Sequence, residues 1–106
     1  TPIAMVADHI EHVRRIAGID HVGIGGDFDG NPWWPTGLSD VSMYPNLFAE
    51  LIRRGWTDDE LRRLAGENLL RAMAQAERVA KRLQAERPPS TRKLGPGPRP
   101  GDAASR

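Results

Sequence analysis

No cysteine occurs among the 106 residues, which excludes disulfides, thiolate zinc sites and a cysteine nucleophile. No apolar run approaches the roughly 20 residues that a membrane span requires. An excess of one charge is missing too. Fifteen Lys and Arg face fourteen Asp and Glu, a formal charge of +1, which argues against a nucleic-acid module driven by bulk charge. The chain opens Thr-Pro instead of Met and shows no signal-peptide pattern, so the expectation is a processed protein or an excerpt of a longer one. The C-terminus lacks the hydrophobic segment of a lipid-anchor signal, which favours a soluble, cytoplasmic setting. No internal repeat is found.

What is present is unevenly spread. Residues 1–86 hold 10 basic and 13 acidic groups, whereas residues 87–106 hold 5 basic and 1 acidic. The latter segment also carries 5 of the 9 prolines and 3 of the 11 glycines, with Leu94 as its one large apolar side chain. It cannot bury enough surface to offset its ordering entropy, so residues 87–106 are expected to be a disordered tail.

The remaining 86 residues read mostly as helix. Ile3, Val6, Ile10, Val13 and Ile16 fall at helical spacing, and Gly18 is a natural stop. Leu47, Phe48, Leu51 and Ile52 give a short amphipathic helix ended by Gly55. Thr57 then supplies an N-cap with Glu60 three positions on, a capping box, and Trp56 and Leu61 stand where a hydrophobic staple needs them. Gly66 is expected to break that helix. A longer one follows, its stripe of Leu69, Met73, Ala76, Ala80 and Leu83 read as core. The arginine pairs Arg14-Arg15, Arg53-Arg54 and Arg62-Arg63 read as solvated helix faces.

Between the first two helices, residues 19–26 (IDHVGIGG) have the small and β-branched pattern of a strand, and residues 27–45 form a long loop. A lone strand leaves its backbone groups unsatisfied if buried. The pattern therefore predicts a piece of a larger α/β protein whose sheet lies elsewhere.

Chemistry concentrates where this strand meets the loop, in Gly23-Ile24-Gly25-Gly26-Asp27-Phe28-Asp29-Gly30. Strand ends of α/β barrels carry active sites, and glycines let a ligand approach the backbone. Asp27, first past the strand, suits a metal ligand or general base. Equally, Asp27 and Asp29 could cap turns through local amides, and spacing alone does not separate the two. A dinucleotide fingerprint fails because Phe28 stands where glycine is needed. A calcium loop fails at Pro32 and Leu38. His9 and His12 share a helix face but miss the zincin spacing and are too few for zinc. His21 reads as a packing or supporting residue. Trp33, Trp34 and Tyr44 either line a pocket or pin the loop, with pinning favoured.

The runs DHIEHVRRIAGIDHVGIGGDFDG and GLSDVSMYPNLFAELIRRGWTDDELRRLAGENLLRAM closely resemble the C-terminal part of the membrane (renal) dipeptidase family. These are zinc metallopeptidases of the amidohydrolase superfamily. The resemblance covers about residues 6–80 and implies the C-terminal piece of a (β/α)₈ TIM-like barrel, with residues 19–26 as its eighth strand. It implies two zinc ions and hydrolysis of dipeptides. Asp27 falls on the family's eighth-strand aspartate, beside the substrate and the metal-bound water, and so would be both catalytic and substrate-binding. Asp29 would shape the loop. Gly26 stands where many relatives have Ser, and Met43 where many have Lys.

The family's metal ligands, its carbonyl-polarising histidine and its carboxylate-holding arginine all precede the matched segment. None falls on His9, His12 or His21, so no metal ligand is assigned to this chain. The expectation is a fragment, inactive alone, that works with the missing part of the barrel. A catalytically inactive remnant or interaction fragment, sticky or homodimeric through its open sheet edge, is the alternative, and a split enzyme a weaker third.

Overall fold

The computed structural model describes residues 1–97. Four helices carry the chain: α1 (Ile3–Ala17), α2 (Tyr44–Arg53), α3 (Asp58–Arg62) and α4 (Asn68–Glu86). Short 3₁₀ turns cover Ile19–His21 and Val41–Met43, and a π-helical turn, Arg63–Glu67, joins α3 to α4. Thr1–Ala76 forms one compact unit, and a second begins at Glu77. Residues 87–97 carry no helix or strand, and residues 98–106 of the expected tail lie outside the described residues.

The expected strand is not formed. Residues 19–21 wind into the 3₁₀ turn, Val22 is extended, and residues 22–26 follow without a ladder partner. Among the described residues the sole bridge is a parallel one between Pro2 and Thr36. The pattern for a strand is there, but strand structure is cooperative pairing, and no neighbour is supplied.

In the first unit the core gathers Ala7 and Ile10 of α1, Val22, Leu38, Leu47 and Leu51 of α2, Trp56, Leu61 and Leu64. Leu47 and Leu51 are fully buried, each stabilising the unit by about 1.5–3 kcal/mol relative to exposure. The α1 stripe is buried only over its N-terminal half. Val13 and Ile16, expected on the same face, are exposed, with nothing covering them among the described residues.

The turn from α2 into α3 follows local rules closely. Gly55 takes φ 93°, open to glycine without a Cβ penalty. Its N–H reaches the Ile52 carbonyl at 2.9 Å, and the Trp56 N–H reaches the Leu51 carbonyl at 3.1 Å, the paired bonds of a Schellman motif. Thr57 and Glu60 then form the expected capping box, with Trp56 and Leu61 both buried.

Gly66 marks a kink instead of a break, since the π-turn carries the chain from α3 into α4. The extra residue of that turn re-aims the helix face. Leu61, Leu64 and Asn68 point inward, while Leu69, Leu70 and Met73 stay exposed. Of the stripe read as core, Leu69, Met73, Ala76 and Ala80 are exposed and Leu83 is half-buried.

Nor are the arginine pairs simple solvated faces. Arg54, whose side chain is 17% exposed, donates to Glu50 of its own helix at 2.8 Å. It also donates to Asp8 and Glu11 of α1 at 2.7 Å each and to the Ala4 carbonyl at 3.0 Å. Arg14 lies over the Trp56 ring, 4.5 Å from its centroid, and pairs with Glu60. Arg63 bridges Asp20 at 2.9 Å. One arginine of each pair ties elements together, because its planar fork can serve several acceptors at once.

Hydrogen bonds from Arg53 and Arg54 hold the Glu50 carboxyl down at about 2, against an ordinary 4.5. A carboxylate with a depressed folded value stabilises the fold above its unfolded value and loses that contribution as it is protonated. The melting temperature is expected to fall as pH drops from about 4.5 towards about 2. A Glu50→Gln variant, melted over the same series, should lack that part of the decline.

Candidate active site

Asp27 follows the extended residues 22–26 and opens the turn of residues 28–30. Its backbone takes φ 46°, a left-handed conformation that Asp tolerates better than most residues. The Gly30 N–H closes the turn on the Asp27 carbonyl at 3.2 Å. A Cβ at Gly30 would stand 2.5 Å from Asp27 Oδ1, so the carboxylate lies across a surface that only glycine leaves open.

That carboxylate is exposed and makes no hydrogen bond or ion pair among the described residues. Capping is done by other side chains. Asp40 accepts from the Ser42 N–H at 2.8 Å and its hydroxyl at 2.5 Å, and the Ser42 bonds hold its carboxyl below the ordinary value. Asn31 accepts from the Trp33 N–H at 3.2 Å. Asp29 is likewise exposed and caps nothing among these residues. The local-amide alternative for Asp27 and Asp29 therefore finds no contact to support it.

Beside Asp27 opens a cavity of about 320 Å³. Gly23 to Gly26 line it before Asp27 and Phe28 after it; Val6, His9 and Ile10 of α1 close one side, and Trp33, Trp34 and Tyr44 another. Asp27 itself stands outside the lining. Phe28 and Tyr44 meet edge to face, centroids 5.6 Å apart. A Cβ at Gly26 would come within 2.6 Å of the Phe28 ring and the Tyr44 hydroxyl, so a serine at this position would require that pair to move.

Pinning accounts for one of the two tryptophans. Trp34 donates its indole N–H to the Phe28 carbonyl at 3.2 Å. Trp33 is 82% exposed and pins nothing through its ring. Both line the cavity together with Tyr44, so pocket lining, the less favoured expectation, describes all three.

The base of the segment is held by residues that sequence reading passed over. Asn68, the buried polar residue of the core, donates to the Ile19 carbonyl at 2.7 Å and the Val22 carbonyl at 2.9 Å. Arg71 donates to Asn68 Oδ1 at 2.9 Å and to the Asp20 carbonyl. The signal was a polar residue at the third position of the Leu61, Leu64, Asn68 series, where an apolar one would continue the stripe.

The histidines do not assemble a site. Arg15 donates to Nδ1 of His12 at 2.8 Å, His9 lies at the cavity wall, and His21 is exposed beside Asp20, Arg63 and Arg71. Among the described residues no three His, Asp or Glu side chains gather to share a metal ion. The residues present therefore do not fit a zinc centre, which needs three or four ligands. No described helix is long and apolar enough to cross a membrane.

Compared with known protein families, residues 1–87 match the family model of the membrane dipeptidases, peptidase family M19.

Proposed function

The chain belongs to the membrane dipeptidase family, a family of peptidases, and from that premise we propose that it is the closing part of a zinc-dependent dipeptidase barrel. In that reading residues 19–26 become the eighth strand once neighbouring strands flank them. The unpaired segment and the uncovered Val13, Ile16, Leu69 and Met73 support it, because such surfaces call for further protein. Since the described residues hold no fitting ligand set, the residues holding the zinc ions belong, in this reading, to the remainder of the barrel.

The single observation that carries the reading is the exposed carboxylate of Asp27 at the end of that segment, which makes no hydrogen bond or ion pair among the described residues. Its role is proton transfer at the scissile amide. Water oxygen bonds to the carbonyl carbon, Asp27 takes the proton that the water releases, and the proton passes to the amide nitrogen. The C–N bond then breaks, giving two amino acids. Exposure keeps the carboxylate within reach of water, and the left-handed turn presents it clear of its own backbone.

The same lack of ligands favours a second reading for the chain by itself, an inactive remnant. The test compares the 106-residue chain with the complete polypeptide that carries it, assayed on a panel of dipeptides with and without a zinc chelator. Hydrolysis by the complete polypeptide alone, lost with chelator and regained with zinc, is expected. No hydrolysis by either would leave the remnant reading standing. Activity of the short chain would overturn the division of labour.

A further inference from the structure

We propose that Gly30 is a positioning residue for the reaction: its missing side chain leaves open the place where the Asp27 carboxylate lies. This rests on the dipeptidase reading above and adds to it the residue that aims its proton carrier. Three observations converge on it.

The surroundings of Gly30 come first. A Cβ at this position would meet Oδ1 of Asp27 at 2.5 Å, its Cγ at 3.2 Å and its Oδ2 at 3.3 Å. These are the three nearest atoms, and all belong to one carboxyl group. A methyl and that carboxylate cannot share the space.

The backbone comes second. Gly18, Gly37 and Gly55 take the left-handed conformation, with φ of 90°, 86° and 93°, and Gly30 is not among them. Its dihedral angles are therefore open to residues with a Cβ. The bond from the Gly30 N–H to the Asp27 carbonyl, 3.2 Å long, uses main-chain atoms that alanine also has. What glycine supplies here is the absence of a side chain.

The third observation is the state of the carboxylate. It is exposed, and no hydrogen bond or ion pair among the described residues fixes its χ1. Staggered wells lie about 120° apart, so a methyl at Gly30 closes the occupied well and turns the carboxylate into another. Such a swing exceeds the misplacement of about 1 Å that can cost about a hundredfold in rate. The displaced atoms are the end of a side chain in water, so the fold gives up little. Every atom involved lies within residues 27–30, in a turn closed by its own bond. The relation is thus independent of whatever strands flank residues 22–26.

The experiment uses the complete polypeptide and the variants Gly30→Ala, Asp27→Asn and the two combined, assayed on a panel of dipeptides. Gly30→Ala is expected to lower kcat about ten- to a hundredfold, with KM, bound zinc and melting temperature close to those of the unaltered protein. In the Asp27→Asn background the same substitution should change kcat little, because no base is left to misplace. A structural glycine would lower both alike. A crystal structure of Gly30→Ala should show the Asp27 carboxylate in a different χ1 well. An unmoved carboxylate, or an unchanged kcat in Gly30→Ala where Asp27→Asn collapses, overturns the assignment and leaves the dipeptidase reading standing. A lowered melting temperature, or an equal loss in both backgrounds, overturns it as well. If the unaltered polypeptide hydrolyses no dipeptide, or Asp27→Asn turns over as fast as it does, the reading itself fails and the assignment falls with it.

Discussion

Replacing Asp27 with Asn in the complete polypeptide is expected to lower kcat on dipeptides by about 10²–10⁴-fold, the usual range for removing a positioned proton carrier. The substitution is chosen for its backbone. Asn tolerates the left-handed region as Asp does, so φ 46° and the Gly30 bond to the Asp27 carbonyl are retained. Because the carboxylate has no partner among the described residues, its loss breaks no contact. Thermal stability is thus expected to stay put while turnover collapses, and bound zinc, measured by elemental analysis, should stay near that of the unaltered protein. An unchanged kcat would reduce Asp27 to a turn residue. A lowered melting temperature alongside lowered activity would mean that the carboxylate holds structure instead of moving protons.

The largest effect on stability is expected at Asn68. Leu has the same branching but donates nothing, so Asn68→Leu orphans the carbonyls of Ile19 and Val22. It also removes the acceptor used by Arg71. A buried polar group left unpaired costs about 1–3 kcal/mol, and with the Val22 bond buried and the Ile19 bond partly so, a loss of about 2–6 kcal/mol is the upper range by the same principle. That is a large share of the 5–15 kcal/mol that holds a typical domain together. Urea unfolding of the complete polypeptide checks it through the transition midpoint at constant slope. A shift worth less than about 0.5 kcal/mol, ordinary for a surface change, would show that other groups satisfy those carbonyls.

Sequence alone conveyed the local events well and the long-range ones poorly. Gly18, Gly55 and the Thr57–Glu60 box announce helix ends because capping is decided within a few residues. Residues 19–26 carry the composition of a strand, yet a strand is a relation between segments, and composition cannot supply the second one. Arg14, Arg54 and Arg63 looked like surface charge because their partners lie 43 to 46 positions away. Leu69 and Met73 keep the spacing of a buried stripe yet stand exposed, because nothing among the described residues covers that face. At the candidate site, the glycines around Asp27 marked it as a candidate, with turn-capping an equal reading. What spacing could not settle was whether its carboxylate was already occupied, and the structure gives that carboxylate no hydrogen bond or ion pair among the described residues.

The corner at Trp56 has a bearing on the order of assembly. Leu51, Trp56 and Leu61 are spaced five apart, and the bonds joining them reach across no more than five residues. Closing so short a loop costs little chain entropy, so this corner can form early. The clamp on residues 19–22 instead requires Asn68 to find carbonyls 46 and 49 positions upstream. On an emerging polypeptide, the stretch that leads to Asp27 stays unfastened until α4 has begun to form, so the candidate turn is among the last parts to be locked.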